Sequence, residues 1–528
     1  MKNRSFLRAG IRSFSTLALS VLLGIPWTLA HGQARQFPDT RHGIHIFYDQ
    51  PPFSLTEAQL DFFANHYVGC QKIPLDLVNA IRVYNDGFIV LNYRLAFGTY
   101  DDLAAYLVGN DWVNDWDAVD PHADWFITDP GSPNPEDRIM QQDWGWYLMD
   151  ISGEVNGNTT AGWKEYWTAT VFDQLRSTDS DGVFADSHCF PWNLDYTPAW
   201  LLPPDDVAWI HHMEVFGNHA LTQLHAQPEH FYFVPNVGPW ITTRDTTDYG
   251  AFVDGVMVEM FGSPGPWDLY DIEDWKLQMN RLLDLERRGK VVICQAIIED
   301  EWAGLERMYA LANYLLIKGQ KTYYNLVFGE SFWGRLIFFP ESTVELGACE
   351  GGMPLDIDDL WQSSLGVYER QYQNGRVLLN PTWTPVTVPL DCEYYAVDVA
   401  DLVDDPQIDI GEDGVFADSL AFIAVSGSVT VEAKGGMILL QTLEFDCRDF
   451  QLGESVPDLH AYPVPSRGPT TISCSLPAAD SGAQVGIYDL GGRRLRALPL
   501  PPRNGRREAV WDGKDDRGYP VSAGVYVC

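Results

Sequence analysis

The sequence predicts an α/β chain: a (β/α)8 barrel of the TIM barrel type, then a β-sandwich, then a small third β unit. Three observations predict it. From residue 41 to about residue 329, eight apolar strand-like runs alternate with amphipathic helical stretches, over a length close to the ~250 residues usual for such a barrel. The runs lack polar alternation, as strands covered on both faces do. After Gly329 the helical period stops, and short strands punctuated by turn residues take over.

The expected barrel strands are 43–49, 88–93, 146–151, 182–186, 231–236, 255–259, 290–296 and 322–326. Helices are expected at 161–175, 206–224, 271–288 and 305–318. In 271–288, Ile272, Trp275, Met279, Leu282 and Leu283 share a face, Arg287 and Arg288 suit the C-terminal end, and Gly289 suits the cap. In 305–318, Leu305, Met308, Leu311, Ala312 and Leu315 repeat likewise until Gly319. Helix 206–224 is entered through Pro203-Pro204. A doubly wound sheet is the competing fold. It is weakened by Asp49-Gln50-Pro51-Pro52 after the first strand, where that fold carries a Gly-rich phosphate loop.

In the second unit, 366–379 reads as a hairpin turning on Asn374-Gly375, followed by runs at 386–390, 416–425, 428–433 and 437–441. A proline-marked linker at 456–469 opens the third unit, which is locally basic and carries runs at 470–475, 484–488 and 509–511. The expected limits are 35–335, 336–450 and 457–528. The chain stops at Cys528 inside the last expected strand, so its C-terminus is expected to be incomplete.

The net charge of −38, from 35 Lys+Arg against 73 Asp+Glu, argues against nucleic acid or anionic membrane as partner. It also disfavours polyanionic substrates and leaves a neutral polysaccharide as the better fit. The 19 Trp suit either sugar-binding ring faces or a large core. Residues 1–34 read as an export signal: Lys2, Arg4, Arg8 and Arg12 precede a short apolar stretch at 17–29, and Gly32 and Ala34 suit a peptidase. Pro26 and the shortness of the stretch argue against a membrane anchor. A secreted or cell-surface protein is expected. The eight Cys have no C-x-x-C spacing, against zinc or redox roles; Cys70, Cys189 and Cys294 read as buried thiols, and Cys392 with Cys447 as a candidate disulfide.

In a barrel, the C-terminal strand ends share one mouth. Here those ends are polar: Asp49, Asn92, Asp150, Asp186, Asn236, Glu259, Gln295 and Asn325, in strand order. Sugar cleavage needs one carboxylate to attack or to activate water and one protonated acid for the leaving oxygen. Crowding carboxylates raises the pKa of one of them. Any single position is explained as well by a loop start or a helix cap; the whole register points to a site. Asp186 ranks first, since its strand leads into an aromatic loop with His188, Trp192 and Tyr196. Glu259 ranks second, ending the wholly apolar Gly255-Val256-Met257-Val258. Asp49, Asn92, Asp150, Trp192, Tyr196, Asn236 and Asn325 are expected to line the substrate. His211 and His212 lie in a helical stretch without metal-ligand spacing, and neither metal nor cofactor is expected.

The heptapeptide Asp-Gly-Val-Phe-Ala-Asp-Ser at 181–187 recurs at 413–419. At the second copy no helix follows and the strand runs on. Asp413-Gly414 there reads as a turn, and Asp418 as an outward residue with no chemistry.

Trp125-Phe126-Ile127, Tyr147-Leu148-Met149-Asp150 with Trp163 and Tyr166-Trp167 downstream, 181–187, 255–261 and 366–382 resemble segments of hypothetical glycosyl hydrolase family 15, a family of secreted bacterial (β/α)8 proteins. The resemblance spans roughly 41–441 and implies glycoside hydrolysis. Related α-glycosidase barrels place an Asp nucleophile on the fourth strand and an acid on the sixth. That analogy implies Asp186 as nucleophile and Glu259 as general acid/base of a retaining reaction.

The tail, 457–528, resembles the immunoglobulin-like domain of flagellar hook-capping proteins through Pro463-Val464-Pro465, Thr471-Ile472-Ser473, Ile487-Tyr488-Asp489-Leu490-Gly491-Gly492-Arg493 and 510–526. Such tails imply a sorting or attachment module, with the cell surface or secretion machinery as partner. The expected function is an exported glycoside hydrolase acting on a neutral, α-linked glycan. A non-catalytic glycan-binding surface protein is the alternative, and would hold Asp186 and Glu259 too far apart to share one bond. A carbohydrate esterase or lyase on the same barrel is a third possibility; the esterase would need a Ser–His pair or a metal site, and neither is visible.

Overall fold

The computed structural model describes residues 34–101, 116–128, 137–141, 145–152, 162–189, 207–238, 240–329, 332–404 and 406–443, and short runs between 460 and 527. Residues 1–33 of the expected leader, Trp192, Tyr196, Pro203-Pro204 and Cys447 lie outside the described residues.

Eight short apolar runs form one parallel sheet: β1 (Ile46–Tyr48), β2 (Tyr67–Gln71), β3 (Ile89–Leu95), β4 (Gly182–Asp186), β5 (Tyr232–Pro235), β6 (Gly255–Glu259), β7 (Val291–Ile298) and β8 (Thr322–Phe328). Their order is β5-β4-β3-β2-β1-β8-β7-β6. The two ends of that order meet through one parallel bridge, Asn236 to Met257, and the Val237 N–H donates to the Met257 carbonyl at 2.9 Å. The sheet is therefore a nearly closed barrel. Side chains alternate across its wall. At its N-terminal end Phe37 packs against Phe47, Tyr232 and Tyr323 and fills the interior.

The helices are α1 (Glu57–His66), α2 (Leu75–Arg82), α3 (Trp163–Ser177), α4 (Val207–His225), α5 (Ile272–Arg287) and α6 (Gly304–Ile317). The last four lie within two residues of their expected positions. α1 starts at a reciprocal capping box, in which Thr56 Oγ1 accepts from the Gln59 N–H and Gln59 Oε1 from the Thr56 N–H. α5 buries Trp275, Met279, Leu282 and Leu283 on the face that its spacing predicts.

In the barrel, two strands depart from expectation. Residues 67–71 were not expected as a strand, yet they form β2. This run begins on the residue that caps α1, so no Gly or Pro marks the change from helix to strand. Residues 146–151, expected as the third barrel strand, instead place Trp146–Leu148 in a small antiparallel sheet with Gly98–Tyr100 and Met140–Gln141, reached from the end of β3. One strand gained and one lost leave the count at eight, with β4 fourth and β6 sixth.

α6 is buried on all sides from Glu306 to Ile317, because the second sheet covers its outer side. That six-stranded antiparallel sheet runs 361–362, 367–372, 375–380, 435–440, 394–397, 422–425. The expected hairpin is present, pairing Tyr372 with Gly375. Strand Gly375–Asn380 is buried on both faces: Val377 and Leu379 join the barrel core, while Leu378 joins a smaller core with Val388 and Val429 from the two-stranded sheet beyond. A Cβ at Gly436 would collide with the Met308 carbonyl oxygen of α6, so the close approach of sheet and helix requires glycine there.

Buried polar contacts tie the same junction. The Arg307 guanidinium pairs with Glu341 at 2.6 Å, and Arg370 donates to the carbonyls of Leu315, Leu316 and Lys318 at the C-terminal end of α6.

The second heptapeptide is a turn followed by an extended strap rather than the start of a long strand. Gly414 takes φ +70°, Phe416 packs on Phe338, and the strand itself runs only over Phe422–Val425. The described residues after 459 form antiparallel strands in two small sheets.

Candidate active site

The barrel registers decide which polar residues meet. Leu95 lies beside Asp186 across β3 and β4, and Glu259, Gln295 and Asn325 lie side by side across β6, β7 and β8. Residues at one level on neighbouring parallel strands point the same way, here into the barrel.

Asp186 and Glu259 face each other across the seam between β5 and β6. A single nitrogen links them: Asn236 Nδ2 donates to Asp186 Oδ1 at 3.0 Å and to Glu259 Oε2 at 2.9 Å. The Gly238 N–H donates to Asn236 Oδ1 at 3.1 Å, which fixes the amide with its donors toward the acids. Asp186 also accepts from the Tyr93 hydroxyl at 2.7 Å and from the Ser187 N–H at 2.8 Å. Both carboxyl groups are half-buried.

The two acids sit in unlike fields. Burial, and next the charge of Asp186, push the Glu259 carboxyl up to about 7, against the Asn236 hydrogen bond and the charge of Lys72. Lys72 stands at the end of β2. Its ammonium lies 2.8 Å from Asp49 and over the rings of Tyr93, Phe184 and Trp333, at 5.1, 5.9 and 5.2 Å. Burial works against its charge, but Asp49, Asp186 and Glu259 outweigh that and hold its pKa above the ordinary lysine value.

Three residues directly after strand ends take left-handed backbone: Lys72 (φ +63°), Ser187 (φ +58°) and Met260 (φ +58°). Non-glycine residues hold this conformation only where their surroundings enforce it.

The structure thus brings Asp49, Asp186, Asn236 and Glu259 into one mouth, with Asn325 buried at the level of Glu259 and donating to Gln295 at 2.8 Å. Two expected lining residues are placed elsewhere. Asn92 is mid-strand and faces outward, donating to Thr178 and accepting from Gln174 of α3. It alternates with Tyr93, and the inward residue is the tyrosine. Asp150 follows the antiparallel side sheet and accepts from the Ser152 N–H at 2.7 Å, so it closes no barrel strand.

Trp192 and Tyr196 lie outside the described residues. His188 is buried and stacks on Trp240 and Phe252; burial pushes its pKa down to about 3, which removes it as a base. Cys70, Cys189 and Cys294 are buried thiols, as expected. Among the described residues no three His, Cys, Asp or Glu side chains stand together with metal-binding geometry.

Sequence reasoning missed Tyr93, Lys72 and Trp333. Tyr93 was one residue from the expected Asn92, and only the strand's facing separates them. Lys72 follows the strand that went unrecognised.

Residues 82–376 match hypothetical glycosyl hydrolase family 15, which is more than half of the chain. The chain belongs to that family. The matched stretch of this family 15 protein carries Tyr93, Asp186, Asn236 and Glu259, whereas Asp49 and Lys72 precede it. Among solved structures, the family 15 chain is similar to the glycoside hydrolase domain of PelA from Pseudomonas aeruginosa, with TM-score 0.34 and 15% identity, covering 54% of this chain and 94% of that one. It is also similar to a Paenibacillus sp. cycloisomaltooligosaccharide glucanotransferase complexed with cycloisomaltoheptaose, with TM-score 0.32 and 11% identity, covering 75% of this chain and 55% of that one. No curated protein matches it.

Proposed function

We propose that the chain is an exported glycoside hydrolase that cleaves a neutral, α-linked glycan with retention, using Asp186 as nucleophile and Glu259 as general acid/base. The observation that carries this is the shared Asn236 amide. Its two hydrogen bonds, 3.0 and 2.9 Å, laid end to end, keep the facing oxygens closer than the ~6.5–9.5 Å gap of inverting pairs, which must admit a water. The division of roles follows from the environments. Three donors aim at Asp186, and an ionised carboxylate, which only accepts, uses all of them. Glu259 has one such donor and a pKa of about 7, so near neutrality it holds a proton to give.

In the first step Asp186 attacks the anomeric carbon, the glycosidic bond breaks, and the Glu259 proton passes to the leaving oxygen. In the second, Glu259 takes a proton from water, which attacks the same carbon and displaces Asp186. Family membership supports the reaction class, and the chain's charge of −38 supports a neutral glycan over a polyanion. The basic, apolar start of the sequence supports export, and the tail's resemblance supports an immunoglobulin-like attachment module.

Asp186→Asn and Glu259→Gln should each lower the release of reducing sugar by about 10²–10⁴-fold. Fresh product should carry the substrate's anomeric configuration by proton NMR. Inverted product would overturn the retaining assignment, and an undiminished rate in either variant would overturn the site.

A further inference from the structure

Large aromatic side chains scattered singly over a surface are ordinary, whereas several gathered on one rim beside a candidate site point to a binding surface. Among the described barrel residues, Phe53, Trp267, Trp302 and Trp333 are exposed and stand on the loops leaving β1, β6, β7 and β8. Trp267 is 65% and Trp302 50% exposed, so neither is a core residue with one edge showing. The four strands are consecutive in the barrel wall, β6-β7-β8-β1. The rings therefore follow one continuous arc of rim. Tyr84, the other exposed aromatic of the described barrel, precedes β3 at the opposite end.

Two of these loops are tied to each other. Trp267 takes left-handed backbone at φ +59°, and its N–H donates to Glu306 Oε1 at 2.6 Å. The other Glu306 oxygen accepts from the Glu299 N–H, at 2.9 Å, at the end of β7. Lys434, reaching in from the second sheet, pairs with Glu306 at 3.0 Å and also donates to the Gly265 carbonyl. One buried ion pair thus fixes the loops that carry Trp267 and Trp302. Trp302 is further fixed by its N–H bond to Asp300 at 2.9 Å. Toward the mouth, the Trp333 ring lies 5.2 Å from the Lys72 ammonium.

We propose that Trp267, Trp302 and Trp333 form a binding track that leads a glycan chain over the β6–β8 rim to the acids, each ring taking the C–H face of one pyranose. The rings are separate and are flanked by Asp268 and Asp300, which can accept from sugar hydroxyls. That alternation suits the amphipathic edge and face of a sugar, whereas a protein partner would favour a continuous apolar patch. The substrate is then a polysaccharide or long oligosaccharide. The choice of ligand rests on the glycoside hydrolase reading; the track itself does not.

The test is electrophoresis of the full chain through native gels containing amylose, pullulan or dextran. The wild-type chain should be retarded by at least one of them. Trp267→Ala/Trp302→Ala should weaken that retardation about tenfold or more, while Trp267→Phe/Trp302→Phe retains it. Equal retardation of the Ala variant and the wild type, or no retardation of the wild type by any of the three, overturns the track. Asp186→Asn should be retarded as the wild type is. A wild-type chain that binds through these tryptophans yet releases no sugar refutes the hydrolase reading and leaves the track standing.

Discussion

Asn236 decides the site because it is an amide between two acids, offering each carboxylate one of its two N–H bonds. A group with a pKa near 7 in the proton-donor role gives an alkaline limb near that pH in the dependence of kcat/KM. Lys72→Met removes a positive charge that opposes the Glu259 shift, so the limb should move to higher pH, and Lys72→Arg should restore it. Tyr93→Phe should reduce kcat about tenfold at unchanged fold, read by steady-state kinetics beside far-ultraviolet circular dichroism. Asp186, Glu259 and Asn236 were legible because each ends an apolar strand. Tyr93 was not, since a strand buried on both faces carries no alternation to say which side chains point inward.

At the level of elements, helices with a clear face were legible and transitions without punctuation were not. α5 and α6 have periodic faces and glycine stops, and both lie where expected. β2 follows α1 with no loop, and Tyr394–Val397 follows a polar turn in only four residues. Long-range ion pairs have no local signature at all. Arg307 and Glu341 are both fully buried and 2.6 Å apart, joining α6 to the chain beyond the barrel. Arg307→Met should destabilise the protein by about 3–5 kcal/mol in urea unfolding, because Glu341 would be left buried without its partner. Arg307→Met/Glu341→Leu should recover much of that loss.

Across the whole molecule, buried histidines lower stability as the pH falls. Burial pushes His188 down to about 3, and burial with the nearby charge of Lys318 pushes His45 down to about 4, from the ordinary 6.5. The unfolded chain therefore takes up these protons first. Their contribution is full above pH 6.5 and is lost as the pH falls toward 3. Glu259 acts in the opposite direction from 4.5 to about 7, because the folded chain holds its proton more tightly. In thermal unfolding between pH 4 and 7, His188→Phe should flatten the acid fall in Tm, whereas Glu259→Gln should steepen the rise of Tm with pH.

The barrel is joined along its last edge by the bridge of Asn236 to Met257 and by the Asp254 N–H, which donates to the Phe233 carbonyl at 3.0 Å. Unrolled at that seam, β4 lies next to one margin of the eight-stranded sheet and β6 forms the other, so Asp186 and Glu259 would stand nearly a full sheet width apart. Under the proposed mechanism, turnover is thus a report on circularity. A chain whose cylinder has not shut can keep its strands, its helices and most of its core, yet it holds two unrelated acids instead of a pair.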